Sequence, residues 1–273
     1  MTGASALAAG ARLAGNEVVA RRATLTALAM TPVNPALLIM DLGRPKRFLN
    51  MLRMFKVTSP MSVGTWILSA HGGAATLAGS GELTGRAPQA GLAAELAGGA
   101  LGCVLATYTA LLVSDTAVPT WHEARHKLPF VFAGGAVASA GAAAVVLSPV
   151  AGAGPARRLT VAGAALELGA VQVMEHRLGE LAQPYHEGQV EKLDKAAKAL
   201  TGAGTFLLAT AGRRSRLAAL AGGAATLAGA ACERWAIFRA GFESARDPKY
   251  TVLPQRRRVE ERRRAMADGT AQS

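Results

Sequence analysis

The chain has 273 residues, 51% of them apolar and 18% charged, with a mean hydropathy of +0.24; its charges are bunched between long Ala/Gly/Leu/Val stretches, which excludes an ordinary soluble domain. A net charge of +12 and a pI near 10.6 would suit nucleic acid, but the Lys and Arg lie between apolar blocks and in the C-terminal tail and form no basic face with interleaved aromatics. No nucleic-acid partner is expected, and these charges read as loop and headgroup groups facing membrane lipids or acidic partner proteins.

A helix that spans a bilayer needs about 20 mostly apolar residues. In chain order, Thr2 to Gly15 is apolar but too short to span. Uncharged spans are expected from Ala23 to Met40, ending at Asp41, and from Pro60 to Gly81, ending at Glu82. Gly91 to Ser114 holds one internal acid, Glu95. Leu128 to Ala156 is uncharged and longer than one span requires. Leu159 to Met174 is interrupted by Glu167, and two shorter stretches follow, Lys198 to Gly212 and Leu217 to Cys232, divided by Arg213, Arg214 and Arg216. The expected fold is all-α, a polytopic transmembrane helix bundle of about seven full spans plus a truncated first helix, multi-pass in the cell membrane. Residues 1–240 form that bundle and 241–273 a basic extramembrane tail. Small residues recur four apart, as at Gly98 with Gly102 and Gly135 with Ser139, which lets helix backbones approach closely.

Ionisable groups inside the spans are the first functional candidates, because a mid-membrane carboxyl costs several kcal/mol (about 2.5–3.5 on insertion scales) unless paired, protonated or facing a wet cavity. Glu95 and Glu167 qualify as a proton pathway or as structural, hydrogen-bonded carboxyls, and both readings stand. His71, midway along its span, reads as a satisfied core histidine. Two cysteines, Cys103 and Cys232, both in apolar stretches, argue against a disulfide framework, a CxxCH haem site and a cysteine-ligated cluster. His122-Glu123-Ala124-Arg125-His126 matches H-E-x-x-H, the zinc-protease pattern, but it lies between Pro119 and Pro129 and has no third ligand. An intramembrane metalloprotease is therefore a minor reading, behind an ion or solute transporter using Glu95 and Glu167.

The most informative loop is Asp41-Leu42-Gly43-Arg44-Pro45-Lys46-Arg47-Phe48-Leu49-Asn50-Met51-Leu52-Arg53, followed by Phe55-Lys56. Gly43 and Pro45 fix a turn, and Phe48 to Phe55 has the spacing of an interfacial amphipathic helix. If Thr2 to Gly15 counts as one crossing, this loop, the WHEARH loop and the tail share one side, the docking face. Lys and Arg outside the tail divide almost evenly between the two sides, so they do not orient the chain. Tyr108, about two turns before Asp115, lies at modest depth beneath the docking face.

The stretch DLGRPKRFLNMLRMFKVTSPMSVGTWIL resembles the signature of the NrfD/PsrC family, the membrane subunits of polysulfide reductase and related molybdoenzyme complexes. The likeness continues through TYTALLVSDTAVPTWHEARHKLPFVFAG to Asp247-Pro248-Lys249-Tyr250-Thr251-Val252. The resemblance implies an eight-helix bundle with no haem or metal of its own. It further implies that menaquinone or ubiquinone is its substrate, exchanging electrons with a partner subunit of the 4Fe-4S ferredoxin type that serves a molybdopterin catalytic subunit. In that frame Tyr108 and Asp115 are expected to bind the quinone, Glu95 and Glu167 to carry protons, and Asp41, Arg44, Arg47, Arg53 and Lys56 to dock the iron–sulfur partner. Family members begin with a complete first helix. Here Met1-Thr2-Gly3-Ala4-Ser5 reads as that helix's second half, so the true start is expected upstream.

Overall fold

The structure is a computed structural model that describes residues 1–41, 46–53, 55–252, 255–256 and 259, with side chains at 41 and 46–49 outside the description. Among the described residues it is all-helical: α1 Thr2–Leu13, α2 Glu17–Met30, α3 Val33–Asp41, α4 Lys46–Arg53, α5 Pro60–Thr84, α6 Pro88–Ser114, α7 Pro119–Glu123, α8 Leu128–Leu147, α9 Gly154–Leu178, α10 Gly188–Ala209 and α11 Arg216–Arg246, with 3-10 turns at Gly179–His186 and Ala211–Arg213. Three stretches, Glu17–Met40, Pro88–Ser114 and Leu128–Leu147, are long and apolar enough to cross a membrane on length and composition alone. The chain is a polytopic membrane protein.

Two departures from the expected spans have local causes. Helix is interrupted between Met30 and Val33, beside Pro32, within the span expected from Ala23 to Met40; a proline lacks the N–H that would continue the ladder. The uncharged run Leu128 to Ala156 is two elements, not one. Ser148, restricted by the proline after it, adopts an extended conformation and ends α8, and α9 starts at Gly154 with Pro155 in its first turn. The carbonyls left open at the end of α8 are taken by Arg216 from α11, which donates to Val145 at 3.1 Å, Val146 at 2.6 Å and Ser148 at 2.7 Å. The turn has no charge of its own because a distant helix supplies one.

The helices pair as antiparallel neighbours: α5 on α6, α8 on α9 and α10 on α11, with α1 laid against α6, α2 and α8. Small residues set the distances at these seams. A methyl added at Gly134 would meet the Glu167 backbone nitrogen at 2.5 Å, and one at Gly204 would meet the Gly222 carbonyl at 2.7 Å. Large apolar side chains such as Leu77, Val104, Phe130, Trp235 and Phe238 stay exposed on the outside, as expected where hydrocarbon is the solvent. Helix α11, at 31 residues, is about 46 Å long and exceeds the ~30 Å hydrocarbon layer. It runs unbroken past residue 240.

Alternation of the spans puts the turns after α1, α5, α8 and α10 on one face, opposite the docking face. Contacts between those turns agree: Asn16 reaches the Gly152 carbonyl at 3.5 Å, and Arg157 donates to the Gly212 carbonyl at 3.5 Å. At the docking face, Leu128, Val131, Phe132, Met174, Tyr185, Ile237 and Tyr250 share one buried cluster. Helix α1 penetrates to about mid-depth, where the Thr2 carbonyl lies against Gly102 and Gly3 against the Ala136 carbonyl.

Candidate functional site

Two buried polar clusters stand out in this apolar bundle, one in each half. The first lies near the far face. Arg12, in the last turn of α1, where the helix dipole favours a cation, points its guanidinium at Glu95 of α6. Nε donates to Oε1 at 3.0 Å and Nη2 to Oε2 at 2.7 Å. The same guanidinium reaches Glu82 of α5 at 2.9 Å and also pairs with Glu17. Thr24 of α2 donates to Glu95 at 2.9 Å. Glu95 is 5% exposed and lies about 10 Å along α6 from its start, yet each carboxyl oxygen has a partner. A cavity of about 300 Å³ opens beside Arg12, Glu82 and Glu95. One level deeper, His71 is fully buried with Nε2 at 3.0 Å from the Ser5 hydroxyl and Nδ1 without a partner.

The second cluster belongs to α8–α11. Glu167 sits near the middle of α9, 2% exposed, and among the described residues neither carboxyl oxygen has a hydrogen-bond partner. It faces Gly135 of α8, as does Arg234 of α11: a methyl on Gly135 would overlap both the carboxyl and the guanidinium. Arg234 is anchored by Phe132, whose carbonyl it meets at 3.1 Å and whose ring it covers at 3.9 Å from the centroid. The next residue, Glu233, is 4% exposed with one oxygen unpartnered, and lies within electrostatic reach of Glu167, Asp194 and Lys198. Lys198 of α10 binds Asp194 and Glu175 of α9, each at 2.7 Å, and His186 stands 3.8 Å from Glu175 at the docking face. Tyr185, buried beside them with its hydroxyl unpartnered, has its phenol pushed well above the ordinary range, first by burial and then by Glu233, Glu175 and Asp194.

At the inner end of this chain a cavity of about 390 Å³ is lined by Thr2, Leu105 and Thr109 of α6, Phe132 and Gly135 of α8, and Arg234. It is apolar along most of its wall and cationic at one point, and the start of α1 at Thr2 forms part of its rim.

The family model for polysulphide reductase, NrfD, matches residues 2–244. The chain belongs to the NrfD family. No curated protein and no solved structure matches it. Membership makes it a membrane subunit of polysulfide reductase-type complexes and implies a complex with reductase subunits.

Against this NrfD frame, the expected site residues scatter. Glu95 and Glu167 fall in separate clusters, one in each half of the bundle. Tyr108 turns toward α5, where its ring rests on Gly64 and its hydroxyl donates to the Pro60 carbonyl. Its neighbours Leu105, Ala106 and Thr109 line the cavity instead. Asp115 is exposed just past the end of α6. Of the docking residues, Arg44 lies outside the described residues, as do the side chains of Asp41 and Arg47, while Arg53 and Lys56 are exposed. The tail motif folds back: Asp247 accepts from the Lys249 backbone N–H at 2.9 Å, Lys249 reaches Gln183 at 3.0 Å, and Tyr250 is buried. In the HEARH segment α7 closes at Glu123, so His122 and His126 do not share a helical face. Among the described residues no three His, Cys, Asp or Glu are grouped to hold a metal ion.

Glu233, Arg234, Asp194, Lys198 and Glu175 carry most of the second cluster. Residues 233, 234 and 194 lie just beyond the ends of the expected spans, and only the extension of α10 and α11 through the docking-face layer buries them.

Proposed function

We propose that this protein is the quinone-reactive membrane subunit of its complex, passing electrons between a membrane quinone and an iron–sulfur partner that serves a molybdopterin catalytic subunit. The observation that carries the reading is the family match along residues 2–244. The quinone ring is proposed to lie along the docking-face half of α6, with Tyr108 and the Asp115 end on one flank and the cavity of Leu105, Ala106 and Thr109 on the other. The quinone supplies two-electron, two-proton chemistry. The chain's own residues orient the ring, admit it from lipid and hold the protons.

Of the two carboxyls expected on a proton route, Glu167 is retained, because its oxygens have no hydrogen-bond partner among the described residues and it packs on Gly135, which lines the cavity. Glu95, bound by Arg12 and Thr24, is proposed as a structural anchor between α1, α2 and α6. Asp41, Arg44, Arg47, Arg53 and Lys56 are proposed to dock the iron–sulfur partner, the cations steering and holding an acidic surface.

The test is quinol oxidation by the purified native complex, read at the iron–sulfur partner. Tyr108→Phe removes one hydroxyl and should weaken turnover severalfold with the complex intact, since one hydrogen bond is worth about 0.5–1.5 kcal/mol. Unchanged turnover removes Tyr108 from the site. Charge reversal at Arg44 and Arg47 should release the iron–sulfur partner from the membrane. Retention at normal stoichiometry assigns those cations to lipid phosphates.

A further inference from the structure

The ends of α8 to α11 on the face opposite the docking face carry cations that no acid of the same turns neutralises. No Asp or Glu occurs between Glu123 and Glu167 or between Asp194 and Glu233. The turns after α8 and after α10 are therefore free of acids, yet they and the first turns of α9 and α11 hold Arg157, Arg158, Arg213, Arg214 and Arg216. Arg157 lies within electrostatic reach of both Arg158 and Arg213, so the fold brings these like charges together. The other half of the same face differs. There Arg12 pairs with Glu17 and Glu82, and Arg21 stands 3.7 Å from Glu82.

Two of the five arginines are committed within the fold. Arg216 caps the last carbonyls of α8, and Arg157 donates to the Val150 carbonyl at 2.9 Å and the Gly212 carbonyl at 3.5 Å, clasping one turn to the other. The negative end of the α8 dipole is thereby covered, while α9 and α11 both begin at this face and add their positive ends to it. Arg158, Arg213 and Arg214 are exposed and make no side-chain hydrogen bond or ion pair with a described residue. Their depth is set by α9: Arg157 lies ten residues before Glu167, or about 15 Å along the axis, which is half of the ~30 Å hydrocarbon layer. The guanidiniums thus stand at the hydrocarbon boundary, level with lipid phosphates, whose oxygens they bind in pairs through charge-assisted bonds. Beside them Leu147, Phe206 and Leu217 are exposed and offer acyl chains an apolar flank.

We propose that Arg158, Arg213 and Arg214 form a binding site for the phosphodiester headgroup of an acidic phospholipid, seated across the α8–α9 and α10–α11 turns. A free phosphate ion offers the same oxygens, but the position at the edge of the hydrocarbon and the exposed Leu147, Phe206 and Leu217 assign the site to a lipid. The bound phosphate offsets the repulsion among the arginines and joins two turns that Arg157 already links, so the lipid acts as a clamp on the far-face ends of four helices. The site takes no part in the chemistry at the docking face and stands whether or not the quinone reading holds.

The test titrates the full-length chain, in a neutral detergent, with dioleoylphosphatidylglycerol, and reads bound lipid by native mass spectrometry and the thermal midpoint. Dioleoylphosphatidylcholine has the same acyl chains and no net charge, and should bind about tenfold or more weakly. Arg158→Gln, Arg213→Gln and Arg214→Gln should each weaken binding of the phosphatidylglycerol about fivefold, the equivalent of ~1 kcal/mol per cation at the headgroup layer, and the three together about 10²-fold. Arg86→Gln, at an exposed position in the turn after α5 on the same face, should leave the affinity at the parent level. Equal binding of the two lipids, parent-level affinity in the triple variant, or an equal loss at Arg86 overturns the site. Inorganic phosphate that displaces the lipid and raises the midpoint as much would make this a soluble-anion site and overturn the lipid assignment. The parent protein gives a readout that needs no variant to fold: its affinity for the phosphatidylglycerol should fall about tenfold between roughly 50 and 500 mM salt, as screening requires of exposed charges. An affinity indifferent to salt overturns the proposal.

Discussion

Glu95 and Glu167 look alike in sequence, single acids inside otherwise apolar spans, and the bundle treats them in opposite ways. Glu95 is 5% and Glu167 2% exposed, so burial does not separate them; partners do. Glu95 receives two bonds from Arg12 and one from Thr24, drawn from two other helices. Glu167 receives none from protein, and its neighbours are further ionisable groups. A buried carboxyl with every oxygen satisfied is a joint between helices, whereas one left without hydrogen-bond partners among other acids carries the full cost of its burial. The lesson is that depth in the membrane marks a carboxyl as costly, and its partner set decides what it does.

The comparison breaks most readily at Arg12. Arg12→Ala leaves Glu95 and Glu82 without their main counter-charge, and removing one partner of a buried pair costs about 3–5 kcal/mol. Thermal unfolding of the detergent-solubilised protein should show that loss, and adding Glu95→Gln should recover part of it. No recovery in the double variant would mean that the two residues are not coupled. Thr24→Val removes a single bond to the same carboxylate and should cost about 1.5–3 kcal/mol, the range for hydrogen bonds to charged groups. An unchanged midpoint would show that Glu95 does not depend on α2.

The second cluster is probed by volume. Gly135→Ala drives a methyl into the Glu167 carboxyl and the Arg234 guanidinium and should destabilise by about 1–3 kcal/mol, as overpacking does. The same change at Gly169, on the helix that carries Glu167 but with nothing within 4 Å of the added methyl, should instead stabilise by about 0.5–1 kcal/mol through helix propensity. Equal effects at the two glycines would remove Gly135 from the cluster.

Much of the fold was legible because its causes are local. Apolar runs of bilayer length read directly from the chain, as did the carboxyls Glu95 and Glu167. Arg12, by contrast, gave no signal as a partner for Glu95, from which it is separated by 83 positions. The uncharged excess from Leu128 to Ala156 hid a turn because its stabilising cation, Arg216, comes from α11. Asp194 and Glu233 fall outside the expected spans, since a hydropathy criterion ends a span where polarity begins and cannot see that neighbouring helices extend equally far.

The sequence by itself determined that this chain lives in a bilayer, how many times it turns, and, through its motifs, the family to which it belongs; hydrocarbon solvation and backbone hydrogen bonding act on each segment separately. Only the tertiary structure decided which buried carboxyls find partners on other helices and which do not. Pairing in a low-dielectric interior depends on which side chains from other helices arrive within about 3 Å.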